Sequence, residues 1–196
     1  VALDITDPMT PGFLWQFAQP DMGPTYGRPG LGQVLITTAG GSLEERAVAI
    51  LPGGLGAEDA ARRAAAGMPG CTARATGRPP MTTNGVYART NLRCWGTRGR
   101  NLTWIDLATG DTLTRIGSTF FDAPMVGGVS LFPGDVGTVA TRAFMTDQDG
   151  LVWRVNVSQP TIASWTAQPF YDLFSGGIAD DGQPAFEAPI ISTDLA

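Results

Sequence analysis

Residues 102–116 read LTWIDLATGDTLTRI, and residues 143–157 read AFMTDQDGLVWRVNV. In both stretches an alternating apolar segment runs into an Asp-rich turn, which closes at Gly110 or Gly150, and a second alternating segment follows. Residues 1–17 are a looser copy with a longer, proline-containing connection. Strand–turn–strand units that recur along a chain are typical of repeat-built β architectures. The sequence therefore predicts an all-β fold made of β-propeller blades.

Apolar, β-branched segments extend this pattern along the chain. Residues 31–39 (LGQVLITTA) predict a buried strand, and residues 43–51 fit either a strand or a short helix. Residues 165–174 predict the strand after the second hairpin, and residues 185–193 (AFEAPIIST) predict the first strand of a further unit. Because an unpaired strand at the edge of a sheet is a liability, we expect residues 1–196 to be a fragment of one propeller domain.

The alternation stops between residues 52 and 100, which predicts an insertion between two strands of one unit. This insertion is expected to be mostly irregular, with one short helix at residues 57–66 (AEDAARRAAA). Glu58 and Asp59 would lie in the first turn of that helix and Gly67 would follow its end, in the order that the helix dipole and the C-cap favour.

Charge and composition exclude several functions. The net charge is −5, the basic residues are all Arg, and the chain contains no His. Scattered Arg on an acidic background is a poor surface for binding phosphates, so nucleic acid is not an expected partner. The absence of His removes the usual general base and the commonest metal ligand. No apolar run approaches the roughly 18 residues that span a bilayer, so no membrane span is expected.

The chain contains two cysteines, Cys71 and Cys94, which lie on either side of the stretch ATGRPPMTTNG. This stretch has little apolar content that could hold it in place. A disulfide would restrict the unfolded chain, contribute about 3 kcal/mol and imply an oxidising compartment. The alternative is two unrelated thiols.

Several segments, taken in order, resemble the β-propeller of PilC/PilY-type adhesins, which are associated with the tips of bacterial type IV pili. ALDITDP followed by FLWQF is similar to the family's ALDVTDP and LLWEF, and DMGPTYGRP resembles DLGYTYGRP. NLTWIDLATGDTLTRI resembles LYVVDLATGKLL, and RAFMTDQDGLVWRVNV resembles RVYAGDLDGNLWRFDL. GQPAFEAPIIS is similar to QPITAAPVV. The resemblance covers most of the chain outside residues 52–100.

This resemblance implies a non-enzymatic module for adhesion and pilus assembly. In such proteins the propeller joins an N-terminal adhesive region to the minor pilins. The implied partners are therefore minor pilins, the rest of the parent adhesin chain, and a host or abiotic surface. The implied location is the pilus tip at the cell surface, reached through the periplasm. Blade loops and the insertion would supply the contacts.

Calcium is the cofactor that the family suggests, since its members often carry a loop of the form D-x-D-x-D-G-x-x-D. Residues 130–142 at the corresponding place read SLFPGDVGTVATR, where Asp135 is the only carboxylate. A calcium site needs several converging oxygen ligands, so we expect no cofactor in this loop. Asp147 and Asp149 place two carboxylates in one tight turn, and their simplest interpretation is that Asp and Gly form hairpin turns well.

Trp95 follows Cys94 in the insertion and is surrounded in sequence by Arg93, Arg98 and other arginines. An exposed aromatic residue with neighbouring Arg has the composition of a binding hot spot. Two interpretations stay open: Trp95, Arg93 and Arg98 bind a partner, or Trp95 packs the insertion onto the propeller edge. The other tryptophans, at positions 15, 104, 153 and 165, fall in predicted strands and are expected to pack between blades.

Two other functions are compatible with the sequence. The hairpin form D-x-x-T-G also occurs in quinoprotein propeller dehydrogenases, which are secreted as well. Those enzymes need a calcium site and a general-base Asp above a planar cofactor, and the sequence offers no credible cluster for either. The other alternative is a propeller that serves as a protein-interaction scaffold without any link to pili.

Overall fold

The computed structural model describes residues 1–65, 93–133, 137–174 and 179–192. In these ranges the chain is mostly β and forms three antiparallel sheets, which confirms the predicted all-β class. The strands are β1 (Ala2–Asp4), β2 (Gly12–Trp15), β3 (Gly30–Thr37), β4 (Leu43–Pro52), β5 (Leu102–Asp106), β6 (Thr112–Ile116), β7 (Ser130–Phe132), β8 (Arg142–Thr146), β9 (Leu151–Asn156) and β10 (Thr166–Asp172). The described residues also include a short α-helix, α1 (Ala60–Ala65), and short 3-10 helices at Ile162–Ser164 and Ala179–Asp181.

Strands that follow one another in the chain pair with one another. Strands β1 and β2 form a two-stranded hairpin. Strands β3 to β6 form a four-stranded meander, here called the first sheet, and strands β7 to β10 form another, called the second sheet. Strand β4 pairs directly with β5, from Val48 opposite Asp106 to Pro52 opposite Leu102. Residues 53–101 therefore connect two neighbouring strands of the first sheet.

Both hairpins that the sequence predicts are present, as β5–β6 and β8–β9. Gly110 and Gly150 close their turns with φ values of 80° and 76°, which L residues with a Cβ rarely adopt. The two hairpins nevertheless occupy different places, because β5 and β6 are the last two strands of the first sheet, whereas β8 and β9 are the middle two of the second. Similar turns produce similar sequence patterns wherever the hairpin lies in a sheet.

Between residues 43 and 65 the chain forms a strand and then a helix, while Ala66 and Gly67, at the predicted end of that helix, lie outside the described residues. Residues 43–51, for which strand and helix were both open, form β4. The helix begins at Ala60, so the expectation that Glu58 and Asp59 lie in its first turn is wrong. These residues are extended because the backbone at Ala57–Asp59 bonds to the returning chain: Gly96 N donates to Ala57 O at 3.1 Å, and Asp59 N donates to Cys94 O at 2.6 Å.

The hydrophobic core lies between the two four-stranded sheets and contains side chains from both. Trp104 of the first sheet contacts Trp165, which precedes β10, with 5.5 Å between ring centroids. Phe121 meets Trp153 of the second sheet edge-to-face at 5.0 Å. Trp104, Phe121 and Trp153 have no exposed surface. Trp104, Trp153 and Trp165 are thus buried in the core, although Trp165 precedes β10 and does not lie in a strand, while Trp15 lies half-buried against the β5–β6 turn.

Three segments of related sequence lie side by side near the start of the sheets, and we call them lead segments. They read GPTYGRPGLG at residues 23–32, APMVGGVSLF at residues 123–132 and QPAFEAPIIS at residues 183–192. The first runs into β3 and the second contains β7. The third contains no strand, contrary to the expectation for residues 185–193, because no described residue pairs with it as a second strand.

The lead segments touch through their backbones. Val129 N donates to Arg28 O at 3.1 Å, and Gly128 N donates to Phe186 O at 3.0 Å, so the second segment lies between the first and the third. The approach is so close that a Cβ on Gly27 would collide with the carbonyl oxygens of Val126 and Gly127. Position 27 therefore requires a residue without a Cβ.

We predict that Gly127→Ala destabilises the protein by about 1–3 kcal/mol, the usual cost of overpacking. The added Cβ would overlap Thr146 Oγ1 and approach Ala185 O, and backbone neighbours cannot move away easily. Gly117→Ala is the matched control, since nothing lies within 4 Å of a Cβ there. Urea unfolding followed by tryptophan fluorescence measures both variants. Equal stability of the two variants would contradict the close approach.

Candidate functional site

The turn between β8 and β9 contains two carboxylates that are fully buried, Asp147 and Asp149. Asp147 Oδ1 accepts hydrogen bonds from the backbone N–H groups of Asp149 and Leu151, both at 2.9 Å. Its Oδ2 accepts one from Trp153 Nε1 at 2.8 Å. Asp147 is thus the turn former that the sequence indicates, and it also fixes the orientation of a core tryptophan.

Asp149 binds the end of the insertion that returns to the first sheet. Its Oδ1 accepts from Arg93 Nε at 2.8 Å, and its Oδ2 accepts from Trp95 Nε1 at 2.9 Å. The Arg93 guanidinium also donates to the carbonyl oxygens of Gln148 and Gly182, and it lies 4.8 Å from the centre of the Trp95 ring. A buried carboxylate needs such compensation, because burying an unpaired charge is costly.

Gln148, the residue between the two carboxylates, binds the other end of the insertion. Its Oε1 accepts from Gly56 N at 3.0 Å, and its Nε2 donates to Gly56 O at 3.3 Å. One turn of the second sheet therefore holds both ends of the insertion, which begins and ends in the first sheet. We call this group of residues the clasp: Gly56, Arg93, Trp95, Gln148 and Asp149.

Arg100 continues this attachment towards the first sheet. Its guanidinium donates to the carbonyl oxygens of Ser118 and Phe121, at 2.7 Å and 2.6 Å. It also donates to Trp95 O and Gly96 O, at 3.4 Å each. The returning end of the insertion is consequently tied to the connection between the two sheets, as well as to the β8–β9 turn.

The burial of two carboxylates in one turn raises the pKa of Asp147 to about 8. Removal of the group from water is the largest cause, and the charge of Asp149 acts in the same direction. The hydrogen bonds from Trp153, Leu151 and Asp149 favour the charged form and oppose this shift. The pKa of Asp147 is raised on balance, because burial is the largest effect and the carboxyl group has no contact with solvent.

The residues that the sequence singles out as partner-binding have different places in the structure. Trp95 is only 4% exposed, so it is not the exposed anchor that one interpretation required; its indole N–H binds Asp149 and packs the insertion down. Arg93 lies mostly buried in the clasp. Arg98 is exposed, and its Nε donates to Met22 O at 2.9 Å.

Cys94 is buried beside the clasp, and its sulfur is disulfide-bonded. Cys71 lies outside the described residues, so its pairing with Cys94 stays a prediction.

The sequence analysis did not predict the clasp. The sequence places Asp147 and Asp149 in a turn and Arg93 and Trp95 in the insertion, but the side chains that meet are more than fifty positions apart. The one local hint that this turn binds another segment is its sequence, in which Gln148 stands between Asp147 and Asp149.

The described part of the 130–142 loop carries no carboxylate and does not fit a calcium site, and Asp135 lies outside the described residues. Within the described ranges, no group of three or more His, Cys, Asp or Glu side chains could hold a metal ion. Among the same residues, no helix is long and apolar enough to cross a membrane.

A cleft of about 770 Å³ opens where the three lead segments meet, and all three contribute to its lining. Its walls are mostly aliphatic and proline side chains, among them Leu31, Leu131 and Ile190. Arg28 is the only charged side chain among the described lining residues. The cleft therefore suits contact with apolar groups and offers no described acid–base pair.

We predict that Asp149→Ala lowers the unfolding free energy by about 3–5 kcal/mol, the cost of removing one partner of a buried charge pair. The substitution leaves the Arg93 guanidinium and the Trp95 N–H without their acceptor. Asp111→Ala, an exposed carboxylate in the β5–β6 turn, is the control and should change stability by less than about 0.5 kcal/mol. Urea unfolding measures both; similar values would mean that the clasp does not stabilise the chain.

Stability should also fall as pH rises from about 4 to about 8. The pKa of Asp147 is about 8 in the folded protein and about 3.9 in an unfolded chain, so between these values the folded state binds more protons. Deprotonation therefore favours unfolding. Asp147→Asn removes this titration, and its unfolding free energy should vary less between pH 5 and pH 8. An unchanged pH dependence in the variant would assign the effect to other groups.

Comparison with models of known protein families produced no match, and comparisons with curated proteins and with solved structures produced none either.

Proposed function

We propose that this chain is part of a PilC/PilY-like β-propeller and acts as a non-enzymatic adhesion and assembly module at the tip of a type IV pilus. The observation that carries the proposal is the order of its parts. The motifs that resemble the family follow one another along the chain, and those in the second half coincide with successive antiparallel meanders. The lead segments also lie side by side, as the successive blades of a propeller would require.

The proposed mechanism is surface complementarity. The insertion is the most distinctive part of the chain, and the clasp fixes both of its ends to one turn of the second sheet, with Gln148 binding Gly56 and Asp149 binding Arg93. A loop anchored in this way loses less conformational entropy when it binds a partner than a free loop does. Minor pilins, the rest of the parent adhesin and a host or abiotic surface are the proposed partners.

The proposed location is the cell surface, with passage through the periplasm. The disulfide-bonded state of Cys94 supports it, because structural disulfides persist in oxidising compartments such as the periplasm and the cell exterior.

We predict that deleting the segment that encodes this chain from its gene reduces pilus display and surface attachment. Immunogold counting of pili and an adhesion assay measure the two effects. A second strain, in which a short Gly/Ser linker replaces residues 61–92, should keep pilus display and lose attachment if the insertion contacts the surface. Unchanged piliation and unchanged adhesion in the full deletion would refute the proposed function.

A further inference from the structure

Cys94 lies in the returning end of the insertion, directly between two residues of the clasp. Its neighbours in sequence, Arg93 and Trp95, both bind the carboxylate of Asp149. Cys94 itself has no exposed surface, and its sulfur takes part in a disulfide. The clasp and the disulfide therefore share one short segment of backbone.

The outgoing end of the insertion holds the same segment in place. Asp59 N donates to Cys94 O at 2.6 Å, and Glu58 forms an isolated antiparallel bridge with Trp95. The Glu58 carboxylate also lies 3.7 Å from Arg93 Nη1. The backbone that carries the sulfur is consequently fixed by main-chain hydrogen bonds, by ion pairs and by the clasp.

Thiol–disulfide exchange requires contact with a sulfur atom. A thiolate of the reductant attacks one sulfur of the disulfide, forms a new S–S bond to it and releases the other sulfur as a thiolate. The second thiolate of a dithiol then breaks this mixed disulfide, so that two electrons and two protons pass from the dithiol to the two cysteines.

Burial of one sulfur slows both possible attacks. A sulfur without exposed surface cannot be reached by an external thiolate. It is also a poor leaving group when its bonded partner is attacked, because it leaves as a charged thiolate and burial disfavours charge. Exchange at either end of the disulfide is therefore slow while Cys94 stays covered.

Cys94 becomes accessible when Asp149 releases Arg93 and Trp95, which frees the returning end of the insertion. Local openings of this kind cost less free energy than unfolding of the whole domain. When opening and closing are fast relative to the chemistry, the rate of reaction follows the population of the open form. The strength of the clasp then sets the rate of exchange.

We propose that the clasp controls the redox state of the insertion: the Cys94 disulfide exchanges with external thiols and disulfides only while the clasp is open. Formation and reduction pass through the same mixed disulfide, so the restriction applies to both. An external disulfide must therefore oxidise Cys94 and its predicted partner, Cys71, before the clasp closes, and it takes up two electrons and two protons to become a dithiol. This inference is independent of the pilus role, because it follows from contacts at the clasp.

Reduction of the full-length protein by dithiothreitol tests the proposal. Samples taken at intervals are denatured in iodoacetamide and digested with trypsin, which cuts after Arg93 and Arg98 and releases Cys94 in a five-residue peptide. The alkylated fraction of this peptide measures reduction of the disulfide without any functional assay. We expect the folded protein to react more than about tenfold more slowly than the same protein unfolded in urea, because the open form is a minor population.

Two clasp variants and one core variant identify the opening event. Asp149→Ala should accelerate reduction by roughly 100-fold or more, as expected when a buried charge loses its partner. Gln148→Ala, which removes the bonds to Gly56, should accelerate it several-fold. Val34→Ala is the control: it weakens the core at β3, outside the clasp, and should leave the rate close to that of the wild type.

A wild-type rate in Asp149→Ala would overturn the proposal, and Gln148→Ala decides in the same way if Asp149→Ala does not fold. Equal rates for the folded and the urea-unfolded protein would overturn it as well. So would Val34→Ala if it accelerated reduction as much as the clasp variants, since exchange would then follow unfolding of the whole domain. Because pilus display and attachment are not measured, failure of the proposed function leaves this result unaffected.

Discussion

Two carboxylates without access to water occupy a single hairpin turn, and the surrounding structure is arranged to make their burial tolerable. Asp147 is held by backbone N–H groups and by Trp153, and Asp149 is held by Arg93 and Trp95. Because a buried carboxyl group is costly unless it is paired or hydrogen-bonded, these partners stabilise the turn. The same turn therefore ties the second sheet, the core and the insertion into one unit.

The clasp explains how an insertion between neighbouring strands can coexist with an ordinary β meander. Strands β4 and β5 pair as if they were joined by a short turn, because their ladder depends only on the residues that face each other. The chain between them leaves and returns at the β8–β9 turn, where Gln148 binds one end and Asp149 binds the other. Long connections cost little extra closure entropy, so a connection of this length is compatible with the β4–β5 ladder.

Repetition is the other organising feature, and it appears at two levels. The hairpins of similar sequence occupy unlike positions in their sheets, whereas the first two lead segments, which share a proline and a few apolar positions, each run into the first strand of a four-stranded sheet. Turn chemistry is local and recurs wherever a tight hairpin is needed. Close backbone contact between segments needs small residues such as Gly27, and this requirement ties the lead segments to one arrangement.

The sequence by itself determined the all-β class, both hairpins and the buried tryptophans, because these follow from local alternation, turn residues and hydrophobicity. It left open whether residues 43–51 form a strand or a helix. It also placed the start of the helix too early, because residues 57–59 bond to the backbone at Cys94 and Gly96, and this pairing overrides their helix propensity. Only the tertiary structure decided that Trp95 is buried and that Asp147 and Asp149 are more than turn formers. Burial and pairing depend on residues far apart in the chain, and no local pattern encodes which of them meet.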